Sequence, residues 1–261
     1  MSTVRPKPKL DIDLTREQLT ALGLVHAADA LDDILSNAVK QSVTAHAFLD
    51  QLLRAELDER EQRRIKTTLR LSNLPTGMTL AGFDYAFQPS IEKSRVETLA
   101  TGAWIKASET LLVQGPPGVG KTHLAVSLGI KAIEQGFSVQ FYRFDELLVA
   151  LRADAGIPPS QLRRKKYLST SLLVIDELGF EPMNREAASL FFRLVSYRYG
   201  RGSILITTNK SVRDWTELLA GDEALATAIL DRLLHNAHVI NIKGRSYRLR
   251  DLENTLGKRE G

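Results

Sequence analysis

LLVQGPPGVGKTHLA, residues 111–125, decides the fold. An apolar run of strand character meets a turn rich in glycine and proline. Helical spacing of Leu124, Ala125, Leu128 and Ile130 follows. Within it Gly115, Pro116, Pro117, Gly118, Val119, Gly120, Lys121 and Thr122 match the GxxxxGK[ST] pattern between a strand and a helix. Glycines at these steps let successive backbone N–H groups point into one concavity, and the helix that follows adds its positive N-terminal end. Such a cradle takes the phosphates of ATP, with Lys121 reaching the β- and γ-phosphates and the Thr122 hydroxyl ligating Mg²⁺. His123 borders the cradle. With no second histidine at metal spacing, it is expected on the helix surface or packed rather than as a metal ligand.

Outward from the cradle, LLVIDE (172–177) is an apolar strand that ends in two carboxylates. Strand ends of a parallel sheet form the ligand-binding edge, so Asp176 is assigned to Mg²⁺ and Glu177 to orienting or deprotonating the attacking water. ILITTN (204–209) delivers Asn209 to the same edge, where it would hold the water or read the γ-phosphate. The plainer reading is that Thr207 to Asn209 only start a turn. If this strand lies between the first and the third, Asn209 falls between Lys121 and Glu177.

Five strands are expected, at Thr110 to Gln114, Ser138 to Tyr142, Leu172 to Ile175, Ser203 to Thr207 and His238 to Ile242, with a helix in each gap. This is an α/β architecture, a five-stranded parallel sheet between helices. Upstream, Leu19, Leu22, Leu31, Ile34 and Leu35 recur at helical steps after a capping-box spacing of Thr15 and Gln18. A second helix is expected from about Thr44 to Leu71, with Leu49, Leu53, Leu57, Ile65 and Leu69 on its apolar side. Pro75 within Asn73 to Gly77 marks a boundary. The expected domains are a flexible arm (1–13), an all-α N-terminal domain for DNA or a partner (14–75) and the ATPase domain (76–261).

Taken together, GPPGVGKTHLA, LLVIDELGF, ILITTN and AILDRLLHNAHVINIKGRSYRLR resemble the IstB family of transposition helper ATPases, a relative of the DnaC-type helicase loaders within AAA+. The likeness runs from about Leu19 to Arg250. DELGF, AILDRLLH and GRSYR are more particular to IstB-like chains than the shared ATPase motifs. The helices that lead through RRIKTTLRLSNLP to TLAGFDY resemble the same family. The resemblance implies a cytoplasmic ATPase that assembles on duplex DNA as a homo-oligomer, remodels the DNA, and recruits and stimulates a transposase. It also implies that Arg232 is an arginine finger completing a neighbouring subunit's site, and that Arg248 senses nucleotide, with Arg245 and Arg250 close by. The chain ends soon after Arg250, so no full helical lid is expected.

Composition sets wide bounds. Net charge is +4, from 35 Lys and Arg against 31 Asp and Glu, which permits a nucleic-acid partner without demanding one. There is no cysteine, hence no disulfide or thiolate site. No apolar run approaches the ~20 residues of a membrane helix. Arg60, Arg63, Arg64 and Lys66, and the run Arg163, Arg164, Lys165 and Lys166, are candidate phosphate contacts, or else solvated faces paired with acids. Trp104 and Phe83 either border the adenine or belong to the core. Four other readings stay open: a helicase loader, a P-loop kinase, a RecA-like motor using Asp145 or Glu146 after the second strand, and a nucleotide-gated DNA-binding switch with negligible turnover.

Overall fold

The computed structural model describes residues 11–250. The arm through residue 10 and the C-terminal residues on which the lid expectation falls lie outside this range. The chain divides into two compact units between Thr67 and Thr68.

The first unit is built from α1 (Ile12–Ala21), α2 (Val25–Lys40) and α3 (Ala45–Leu71). The first helix starts earlier than the Thr15 spacing suggests, because the Asp11 carboxylate accepts the N–H groups of Asp13 and Leu14. Gly23, at φ +75°, turns the chain, so one expected helix becomes two. Ala27, Leu31 and Leu52 form the core, packed by Leu19, Leu24, Ile34 and Phe48. The inward stripe of α3 is therefore one residue away from the expected one, and Leu49, Leu53 and Leu57 are exposed.

Glu56 explains that rotation. No side chain near the start of α2 caps it. Glu56, buried on α3, instead accepts the His26 and Ala27 N–H groups at 2.8 and 3.0 Å. Burial pushes its carboxyl up, but the Ala27 N–H, Arg60 and the His26 N–H outweigh it and hold the pKa low. Glu56→Ala is expected to cut hydrogen-exchange protection of the His26 and Ala27 amides roughly tenfold, the scale of a lost helix cap. Unchanged protection would refute this capping role.

In the second unit α4 (Lys93–Ala100) and α5 (Ala103–Lys106) lead into β1 (Thr110–Gln114), and α6 (Lys121–Glu134) crosses to β2 (Val139–Arg143). Next come α7 (Phe144–Ala153), α8 (Pro159–Leu162), α9 (Lys166–Ser169), β3 (Leu172–Leu178), α10 (Arg185–Arg198) and β4 (Ser203–Thr208). The chain then runs through α11 (Trp215–Leu218) and α12 (Glu223–Leu234) to β5 (Ala237–Asn241). All strand pairs are parallel, in the order β2-β3-β4-β1-β5. The central strands β1, β3 and β4 are apolar and almost wholly buried because helices cover both faces. One face packs Leu112, Leu173, Ile175 and Ile206 against Phe144, Leu147, Phe191 and Ile229.

The division between units comes before the Asn73–Gly77 break, because the chain from Leu71 onward is already tied to the sheet unit. Ser72 O accepts Phe141 N–H at 2.7 Å and Gln140 Nε2 at 3.2 Å, and Lys166 donates to Leu71 O. Among the described residues no helix is long and apolar enough to cross a membrane.

Candidate nucleotide site

Parallel pairing brings the carboxyl ends of β1, β3 and β4 to one edge, where a cleft of about 500 Å³ opens. Its floor is the turn after β1. Gly118 and Gly120 hold φ values of +78° and +98°, and a Cβ at either would run into Ser246 or the Phe83 ring. Glycine is thus required twice over, by backbone conformation and by close approach. Lys121 Nζ donates to the Gly115 and Pro116 carbonyls at 2.8 and 2.7 Å, folded back on the loop that it would leave for a phosphate. Burial depresses its pKa, and Arg248 adds to that against the opposing pull of Asp176 and Glu177.

The Thr122 hydroxyl donates to the Asp176 carboxylate at 3.0 Å. These two hard oxygen donors suit Mg²⁺, a cation that takes few protein ligands and completes its shell from phosphates and water. No cluster of three or more acidic or histidine side chains forms a metal site by itself among the described residues. Burial raises the Asp176 pKa, while hydroxyl donors from Thr207 and Thr122 oppose the rise.

Strand β3 runs past Ile175 to Leu178, so Asp176 and Glu177 lie within it. The Glu177 side chain is 40% exposed and pairs with Arg143, at the end of β2, at 3.2 Å. Arg143 also meets Asp145 at 3.3 Å. Asn209 is exposed and lines the cleft with Lys121 and Glu177, as its strand position between β1 and β3 requires.

At the other end Phe83 and His123 meet edge to face at 5.4 Å, and His123 Nε2 lies 2.8 Å from the Thr79 carbonyl. His123 therefore packs, and Phe83 borders both core and cleft. Trp104 belongs to the core, with its indole N–H on Leu99 O. The C-terminal segment lies against the cradle. Tyr247 N–H donates to Gly118 O at 2.9 Å and its hydroxyl to Asp84 O at 2.6 Å. Arg250 pairs with Asp84 and stacks over Phe87, which Arg245 also faces. Arg248 and Arg250 both line the cleft with Lys121, and the Arg248 charge helps to depress the Lys121 pKa.

Arg232 is elsewhere. It donates to Ala228 O, covers the Phe192 ring at 5.0 Å, and lines a depression with Thr110, Ile204 and Asn236 at the opposite, amino-end edge of the sheet. The basic residues divide as well. Arg60 is held by Glu56 and Gly23 O, and Arg64 by Glu61, so these two expected phosphate contacts already have protein partners. Lys165 binds Asp154 and Lys166 binds Leu71 O. Arg63, Lys66, Arg163 and Arg164 remain exposed.

Asp145 and Glu146 serve the start of α7, where Glu146 accepts Arg143 N–H, and neither lines the cleft. Of the carboxylates lining the cleft, Glu177 comes from β3 and Asp84 is paired with Arg250. Sequence reasoning gave no role to Arg143, Tyr247, Asp84 and Thr207, although Tyr247 lies within GRSYR and Asp84 within TLAGFDY. Only the TTN run hinted at Thr207.

A glycine cradle after a central strand, a carboxylate pair on β3 and the order β2-β3-β4-β1-β5 define a P-loop ATPase of the AAA+ class. The crystal structure of the DnaC helicase loader matches with a TM-score of 0.53 over 64% of this chain and 97% of that chain, at 24% identity. The replication initiator DnaA bound to AMPPCP and single-stranded DNA matches at 0.51 over 71% and 56%, at 18% identity. At such identities the likeness concerns the fold. The chain belongs to the family of IstB-like ATP binding proteins, whose profile matches residues 17–255. The insertion sequence IS21 putative ATP-binding protein of Pseudomonas aeruginosa is 42% identical over 89% of this chain and 88% of its own length. That of IS5376 from Geobacillus stearothermophilus is 38% identical over 82% and 85%.

Proposed function

We propose that this ATPase is a cytoplasmic, Mg²⁺-dependent assembly factor that binds duplex DNA as a homo-oligomer, remodels it, and serves the transposase of an insertion sequence. The observation that carries the enzymatic half is the convergence of Lys121, Thr122, Glu177 and Asn209 on one cleft, with the buried Asp176 bonded to Thr122 at its edge. Lys121 holds the β- and γ-phosphates, and backbone N–H groups of the turn from Gly115 to Gly120 cradle them. Thr122 and Asp176 would hold Mg²⁺, whose charge would stabilise the transferring group. Glu177 leaves Arg143 to orient the attacking water, helped by Asn209, and Arg248 reads the γ-phosphate end. Two carboxylates and an amide around the phosphate suit water as acceptor better than a substrate hydroxyl, which favours hydrolysis over a kinase reaction. The N-terminal helical unit is assigned to DNA or partner contact.

Membership of a family whose relatives are named for insertion sequences supports the DNA half. Electron microscopy with duplex DNA, with and without ATP, tests it. An oligomer that engages duplex supports the transposition reading, and failure to assemble on duplex favours a helicase loader. Of the four candidate phosphate contacts on α3, Arg63 and Lys66 are exposed and lie outside the ion pairs that hold Arg60 and Arg64. Converting both to Ala is expected to flatten the slope of log affinity against log salt by about 0.9 for each phosphate no longer neutralised. An unchanged slope would remove α3 from the DNA interface.

A further inference from the structure

We infer that Thr207 is a positioning residue for hydrolysis, one hydroxyl that holds both Asp176 and Glu177 to the cleft; this rests on the roles proposed above for those two carboxylates. In a regular strand consecutive side chains point to opposite faces, so adjacent residues cannot both serve one site. Strand β3 breaks that alternation. Its register with β4 is regular through Ile175↔Ile206 and resumes at Leu178↔Thr208, so Asp176 and Glu177 together are opposed by Thr207 alone. This is a bulge, which re-aims side chains at the cost of ladder hydrogen bonds. Glu177 sits at φ +60°, a region that non-glycine residues seldom occupy without support from their surroundings.

Thr207 supplies the support. Fully buried, its Oγ1 accepts the Glu177 N–H at 3.0 Å and donates its own proton to Asp176 Oδ1 at 2.5 Å. The chain Glu177 N–H, Thr207 O–H, Asp176 carboxylate replaces the missing ladder bonds. It fixes the left-handed backbone from which the Glu177 side chain departs, and it orients the carboxylate that also receives Thr122. Valine has the same shape and can make neither bond. It would leave the Glu177 N–H unsatisfied and Asp176 with one donor fewer.

Thr207→Val and Thr207→Ser test this, after thermal melting confirms that both fold. Steady-state hydrolysis and equilibrium binding of a fluorescent ATP analogue, with and without Mg²⁺, are then measured. Loss of an outer-shell partner typically costs about 10–100-fold in metal affinity or activity. Thr207→Val is expected to lose kcat on that scale with far less change in KM, and to need more Mg²⁺ for analogue binding. Thr207→Ser keeps the hydroxyl and should recover most of both. A Thr207→Val enzyme with parental kcat and Mg²⁺ dependence, or equal losses in the two variants, would overturn the assignment. If the valine variant does not fold, Thr207→Ala against Thr207→Ser isolates the same hydroxyl, and equal rates overturn it again. Glu177→Gln is run in parallel. If it hydrolyses ATP normally, the water-orienting role fails, while the Mg²⁺ dependence of binding, which passes through Asp176, still decides for or against Thr207.

Discussion

Lys121→Ala is expected to abolish ATP binding, whereas Glu177→Gln is expected to bind ATP like the parent and lose turnover. The two side chains line one cleft and act on different free energies. Lys121 is the cation proposed to meet the phosphates, and its ammonium is already partly desolvated, held by two carbonyls that a phosphate would replace. Truncating one side of a desolvated charge pair costs about 2–5 kcal/mol, enough to lower affinity by roughly two to three orders of magnitude. The Glu177 carboxylate leans on Arg143 rather than on Lys121. Glutamine keeps the size and removes the basicity, so binding persists while kcat falls by about 10²–10⁴, the range for loss of a general base. Equilibrium binding of labelled ATP and phosphate release separate the two effects. Parental hydrolysis by Glu177→Gln would remove Glu177 from the chemistry.

The second large effect concerns Arg232→Ala, which should nearly silence hydrolysis while one subunit's ATP binding survives. Within its own chain Arg232 lies at the amino-end edge of the sheet, one strand length from the cradle. For a five-residue strand that is about 16 Å at ~3.3 Å per residue, beyond the reach of an arginine side chain. If the guanidinium acts on ATP, it acts on ATP held by another copy. Its present hold is light, one bond to Ala228 O and a stack over Phe192, so moving to a neighbour's phosphate breaks no ion pair. Arginine fingers are worth about 10³–10⁵ in rate. Mixing Arg232→Ala with Lys121→Ala provides the test, since the first contributes an intact cradle and the second an intact finger. Recovered hydrolysis in the mixture would establish a shared site. Full activity of Arg232→Ala alone, or no recovery despite demonstrated co-assembly, would refute it.

Local chemistry made much of this protein legible. GPPGVGKT needs its glycines and its Lys-Thr for reasons internal to eight residues, and the apolar runs before it and before Asp176 can only be buried parallel strands. Four of the five strands were located to within a residue at each end for that reason. The third was not, because Asp176 and Glu177 are polar and are held in the strand by Thr207 of the neighbouring strand. The helical unit failed differently. Leu49, Leu53 and Leu57 repeat as regularly as Phe48, Leu52 and Glu56, and periodicity cannot choose between stripes offset by one residue. A buried carboxylate capping a helix some 30 residues away made the choice.

Tertiary structure alone also sorted the arginines. Composition treats Arg60, Arg63, Arg245, Arg248 and Arg250 as equivalent cations. The fold ties Arg60 to Gly23 O and Arg250 to Asp84, and sets Arg248 in the cleft with Lys121. A motif records residue types a few positions apart. Which cation is already paired, which apolar stripe faces inward and which hydroxyl bridges two strands depend on partners some 30 to 170 residues away along the chain, and these meet only when the sheet and helices pack.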